Sequence, residues 1–72
     1  MALVFSARNQ LQAKVKSVKR GAVMAEIIVE LADGQEIVSA ITRTSAESLN
    51  LKEGDAIVAI IKSTEVMIGV NK

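Results

Sequence analysis

The 72-residue chain predicts a mainly β protein, a small barrel of five short strands with one short helical turn. Three observations carry that prediction. Apolar residues recur with a period close to two, in segments dominated by Val and Ile, which is the pattern of half-buried strands. An Asp-Gly pair stands between two such segments, the strongest short-range sign of a β-hairpin. Half of the residues (50%) are hydrophobic, in a chain long enough for one core only, so residues 1–72 read as a single domain with a short N-terminal extension over 1–5.

The elements follow in order. Leu11, Ala13 and Val15 alternate with Gln12, Lys14 and Lys16, which predicts a first strand over about residues 9 to 19 with one wet face. Lys19-Arg20-Gly21 turns it. In the second strand, from about Val23 to Leu31, the residues Ala25, Ile27, Val29 and Leu31 share one face and Glu26 and Glu30 the other. Ala32-Asp33-Gly34-Gln35 makes the hairpin, and a third strand runs from Glu36 to about Thr42. Thr44 to Leu49 fits a capping box, with Thr44 as the cap and Glu47 reaching back to it, so one helical turn is expected there. Leu51-Lys52-Glu53-Gly54-Asp55 ends it. Residues 56 to 62 are apolar on both faces and predict a fourth strand that is central or buried in an interface. Ser63-Thr64 turns into a fifth, Glu65 to Val70. Five strands with a helical turn between the third and fourth describe a partly open Greek-key barrel of the OB type.

A core of this size rarely contributes more than roughly 3–5 kcal/mol alone, because ordering the chain nearly cancels the burial of apolar surface. A further source of stability is expected. With no Cys and no His, disulfides and cysteine or histidine zinc sites are excluded, which leaves oligomerisation. The mean hydropathy of +0.35 agrees, since surplus apolar surface on a small protein is interface surface. Charged residues interrupt every apolar run before the ~20 residues needed to cross a bilayer. The opening Met1 to Phe5 lacks the basic start of a signal peptide, so a cytoplasmic protein without membrane attachment is expected.

Catalysis finds few candidates. Without Cys, His or Tyr, only Ser, Thr, Lys and carboxylates remain, in no nucleophile spacing, and no enzyme is expected. Glu26 and Glu30 read as solvated carboxylates on a polar face. None of the 4 glycines stands in a phosphate-cradling motif. A nucleic-acid-binding OB module has Lys14, Lys16, Lys19 and Arg20 in its favour, but the net charge is +1 and Phe5 is the one aromatic, leaving no stacking platforms.

Hydrogen-bond donors collect instead at strand ends: Ser6-Ala7-Arg8-Asn9, Thr42-Arg43-Thr44-Ser45 and Lys62-Ser63-Thr64. Taken singly, each has a local structural explanation as turn former, helix cap or edge charge. A purely structural oligomerisation domain therefore stays open at this point.

Together these stretches carry a resemblance. Ser6-Ala7-Arg8-Asn9-Gln10-Leu11, Ala40 to Ser45 leading into Ser48-Leu49, Leu51-Lys52-Glu53-Gly54, and Ile61 to Ile68 resemble the molbindins, single-domain molybdate-binding proteins of Mop/TOBE type. The resemblance spans about residues 5 to 70. It implies an OB-like hexamer, a trimer of dimers, that binds molybdate or tungstate between subunits for storage or buffering. It further implies that Ser6 and the backbone N–H groups of Ala7 and Arg8 come from one subunit, and Thr42, Ser45, Lys62 and Ser63 from a neighbour. A second class of site in such proteins would correspond to Gly21, Val23, Met24, Ala25 and Glu26. Met24 brings no hydroxyl to that place, so a site there would rest on backbone groups.

The chemistry suits the ion. Molybdate is a tetrahedral dianion without protons at neutral pH, so its oxygens accept hydrogen bonds and donate none. Hydroxyls, backbone N–H groups and one ammonium form an all-donor pocket, with charge-assisted bonds the strongest members. Protonated phosphate would find no acceptor in it.

Overall fold

A computed structural model describes residues 5–72. It consists of β1 (Asn9–Arg20), β2 (Met24–Glu30), β3 (Glu36–Thr42), the helix α1 (Arg43–Ser48), β4 (Ala56–Ile61) and a 3-10 turn, Ser63–Glu65. The strands form one curled antiparallel sheet in the order β3-β2-β1-β4. Four of the five expected strands thus form, within a residue or two of their expected limits.

Alternation decides which face each strand buries. Ala13 and Val15 of β1 and Ala25, Ile27 and Val29 of β2 make the core with Ala46 of α1. Leu31, Ile37, Ile41, Leu51 and Ile57 pack against them half-buried. Glu26 and Glu30 face solvent as their spacing demands. A bulge at Lys16 interrupts the β1–β2 register between Val15 and Ser17 and bends β1, since an extra residue on one strand raises its local twist. Beside it the 52–55 turn is tied down: Val15 N–H donates to Asp55 O at 2.9 Å and Gly54 N–H to Val15 O at 2.8 Å.

The β2–β3 hairpin closes on Asp33-Gly34 as expected. Leu31 N–H reaches Gln35 O at 2.7 Å, and Gly34 takes φ 89°, a conformation only glycine holds without strain. Gln35 bonds Asp33 through its backbone N–H and its side-chain amide, holding the Asp33 carboxyl below its ordinary pKa of 3.8.

Three expectations are corrected. The cap of α1 is Thr42, not Thr44: its side-chain oxygen accepts the Ser45 N–H at 3.0 Å. Glu47 pairs instead with Arg43 at 2.8 Å, because side chains four residues apart on a helix face each other. Residues 56–61 do not form a central strand, since β4 is one edge of the sheet and β3 the other. Its apolar residues on both faces stay only half-buried or exposed. The fifth strand is not formed among the described residues. After Glu65 the chain has no repeating structure, because a strand exists only with a neighbour to bond to, and no edge of this chain meets it.

The result is an open barrel. A hollow of about 760 Å³ is lined mainly by β3 and β4, with Val15, Ile27 and Val29 at its floor, and reaches Leu49, Lys62 and Glu65.

Candidate functional site

Two of the three donor clusters meet at one end of β1. In the β1–β4 ladder Asn9 stands opposite Ile61, so the residues before β1, Ser6 to Arg8, leave the sheet beside Lys62 and Ser63. Two side chains fasten this corner. Asn9 Nδ2 donates to Ile61 O at 3.2 Å and Gln10 Nε2 to Ala7 O at 2.8 Å. Ser6, Arg8, Lys62 and Ser63 are exposed and Ala7 half-buried. Glu65 N–H donates to Lys62 O at 2.9 Å, which winds the 3-10 turn directly after Lys62.

The third cluster is built by the helix cap. Thr42 Oγ1 donates to Ser45 Oγ at 2.7 Å while accepting the Ser45 N–H, so the two hydroxyls form one unit at the end of β3. By register this unit belongs to the opposite end of β1, since Thr42 faces Met24 and Ala25 faces Arg20. The curl of the sheet nevertheless sets Lys62 along the same hollow as Ile41 and Leu49, the neighbours of Thr42 and of α1. Within one chain, therefore, Ser6 to Arg8 adjoin Lys62 and Ser63, whereas Thr42 and Ser45 make a separate pair.

The second candidate stretch forms the β1–β2 turn. Ala25 is a core residue at 1% exposure, so its side chain is turned away from solvent. Gly21 N–H is used within the turn, donating to Met24 O at 2.7 Å. A Cβ on Gly21 would stand 3.0 Å from that same oxygen, which is why the turn takes glycine here. Val23, Met24 and Glu26 are exposed.

The sequence reading missed one residue that joins these regions. Arg43 donates its backbone N–H to Val23 O at 2.7 Å, and its side chain bonds both Glu47 and Gly21 O. Its spacing of four from Glu47 was the available signal. The basic stripe of β1, conversely, is matched by acids. Lys14 stands opposite Glu30 and Lys19 opposite Glu26. Lys16 bonds Glu36 and lies near Glu30, and the Glu36 carboxylate raises the Lys16 pKa above 10.5. Among the described residues Lys16 is the member of this stripe that forms an ion pair, and Arg20 stands opposite Ala25.

An open, OB-like antiparallel barrel with hydroxyl, amide and ammonium groups exposed at its strand ends defines the class of this chain: a small OB-like β domain. Residues 6–68 match the TOBE domain family. The chain belongs to that family, and its relatives include proteins named molybdenum-pterin-binding proteins. It is 52% identical over 63 residues to molybdenum-pterin-binding protein 3 of Clostridium pasteurianum, covering 88% of this chain and 93% of the relative. A probable molybdenum-pterin-binding protein of Haemophilus influenzae is 42% identical over 65 residues, 90% of this chain and 94% of the relative. Among solved structures, MopII from Clostridium pasteurianum superposes with a TM-score of 0.88 at 48% identity, over 93% of this chain and all (100%) of that one. The cytoplasmic molybdate-binding protein ModG, with molybdate bound, superposes with a TM-score of 0.90 at 40% identity, over 96% of this chain and 49% of that one.

Proposed function

We propose that this protein binds molybdate, or the nearly isosteric tungstate, as its cargo in the cytoplasm, storing or buffering the ion without transforming it. The observation that carries the reading is the placement of donors. Ser6, the N–H groups of Ala7 and Arg8, Lys62 and Ser63 gather at one corner of a fold whose relatives are named for molybdenum or molybdate. The Thr42–Ser45 hydroxyl pair supplies the remaining donors. On this reading the pocket that uses all seven residues is shared between copies of a homo-oligomer, a hexamer on the family pattern. One ammonium per pocket neutralises part of the dianion while leaving it exchangeable. Backbone groups of Gly21, Val23, Met24, Ala25 and Glu26 form a second, weaker locus, since the turn itself uses the Gly21 N–H.

Isothermal titration tests the reading. Molybdate and tungstate are expected to give saturable heat, and phosphate at neutral pH none. Absence of heat with millimolar molybdate overturns it.

A further inference from the structure

The helix α1 places the Ser45 hydroxyl, yet little in the core holds it in one orientation. Of its six residues Ala46 is buried and the other five are exposed. One methyl group seated in the core fixes where the helix lies but not its rotation about its own axis. Successive residues on a helix point about 100° apart, so a modest rotation about Ala46 swings Ser45 off Thr42, which is itself held at the end of β3 opposite Met24.

Arg43 opposes that rotation at two points. Its backbone N–H donates to Val23 O at 2.7 Å, one bond beyond the Met24–Thr42 pair. Its guanidinium donates from Nε to Glu47 Oε1 at 2.8 Å and from Nη1 to Gly21 O at 3.4 Å. Both acceptors are themselves anchored. Glu47 O accepts the Asn50 N–H at 3.0 Å at the far end of α1, and Gly21 N–H donates to Met24 O at 2.7 Å within the β1–β2 turn. One side chain thus spans α1 from its first residue to its last turn and fastens it to a turn 22 residues away.

Such a bridge contributes little to folding. The Arg43 and Glu47 side chains are 48% and 55% exposed, and an exposed ion pair is screened by solvent while two long side chains lose freedom. What it supplies is direction, because the planar guanidinium donates along fixed lines to two separate acceptors.

We propose that Arg43 is a positioning residue for the oxyanion site: by clamping α1 to the β1–β2 turn it holds the Ser45 hydroxyl on Thr42, ready for the ligand. This role rests on the reading that Thr42 and Ser45 bind the ion. It makes the β1–β2 turn the support of that hydroxyl pair. Donors ordered before the ligand arrives bind it more tightly, since no ordering remains to be done on binding. The guanidinium, turned to Glu47 and Gly21 O, acts on the ion through Ser45 and not through its charge.

A double-mutant cycle tests the role. Arg43→Met keeps an apolar stem and deletes both side-chain bonds while retaining the backbone N–H. In titration calorimetry it is expected to weaken molybdate binding about fivefold, the scale of ordering one or two side chains on binding. In a Ser45→Ala background the same substitution is expected to cost less than about twofold, because residues acting as a unit are not additive. Equal factors in the two backgrounds overturn the proposal, as does an unchanged affinity in Arg43→Met itself. Glu47→Gln separates geometry from charge: its amide oxygen still accepts the Nε–H, so affinity is expected to hold. Tighter, salt-sensitive binding in Glu47→Gln would show Arg43 attracting the ion directly and overturns the positioning role.

A ligand-free measurement keeps the two readings apart. Amide hydrogen exchange followed by NMR is expected to speed up at Ser45 in Arg43→Met, with Ile27 in the core of β2 unchanged. Unchanged exchange at Ser45 overturns the clamp. A parent protein that gives no heat with molybdate overturns the cargo reading instead, and the exchange rates still decide whether Arg43 holds Ser45.

Discussion

Lys62 is the residue that brings a cationic side chain to the proposed pocket, where Arg8 contributes its backbone N–H. It is exposed in the single chain and tethered only through its backbone, so its value to the protein lies in binding rather than in folding. Lys62→Ala is therefore expected to weaken molybdate binding by about 2 kcal/mol or more, roughly thirtyfold, the scale of losing a charged partner in an interface. Thermal stability without ligand should be unchanged, and titration beside a melting curve checks both. Asp33 is the reverse case, a residue whose charge serves the fold. Gln35 hydrogen bonds hold its carboxyl below 3.8, so its contribution is complete above that value and is lost as pH falls through the lower folded-state value. Denaturant titrations between pH 5 and 2 should show an acid-side loss that is reduced in Asp33→Asn. An equal loss in both proteins would assign it to other carboxylates.

Among the elements, α1 shows how a six-residue helix can persist although isolated helices of that length do not form. Both ends are closed. Thr42 caps the start, and at the finish Leu51 N–H reaches Ala46 O at 3.2 Å while Asn50 N–H reaches Glu47 O at 3.0 Å. This is the pair of bonds of a Schellman motif, with Asn50 at φ 51° in the left-handed place. Ala46, fully buried at 0%, pins the helix to the core. Thr42→Ala should cost about 1 kcal/mol in denaturant unfolding, the usual value of an N-cap, and should also weaken molybdate binding by releasing Ser45. Ser45→Ala should weaken binding while costing less stability, because the cap bond runs to its backbone. The element that failed to form is as instructive. Residues 65–70 have a strand's composition, but a strand's hydrogen bonds belong to its neighbour, and periodicity cannot say where that neighbour is.

At the scale of the molecule, the buried core among the described residues is six residues, three of them alanines, while apolar side chains such as Leu49, Val38 and Ile60 remain exposed. In the proposed homo-oligomer, stability is linked to protein concentration. The melting temperature should rise as protein concentration rises, and rise again with molybdate. A midpoint independent of concentration over two decades would mark a self-sufficient monomer.

The sequence by itself determined what is local. Alternation named the buried faces of β1 and β2, Asp33-Gly34 announced its hairpin, and the absence of Cys, His and stacking aromatics left hydroxyl, amide, ammonium and carboxylate groups as the available chemistry. The Ser6-to-Asn9 and Lys62-to-Thr64 stretches in combination were enough to show the family resemblance. Tertiary structure decided what depends on partners distant in the chain. It made β4 an edge rather than a centre, moved the cap from Thr44 to Thr42, set Ser6 to Arg8 beside Lys62, and used Arg43 to tie α1 to the β1–β2 turn. The physical reason is the same each time. Side-chain periodicity records which face of an element is apolar, whereas hydrogen-bond partners across a sheet are set by register and closure, which no single segment encodes.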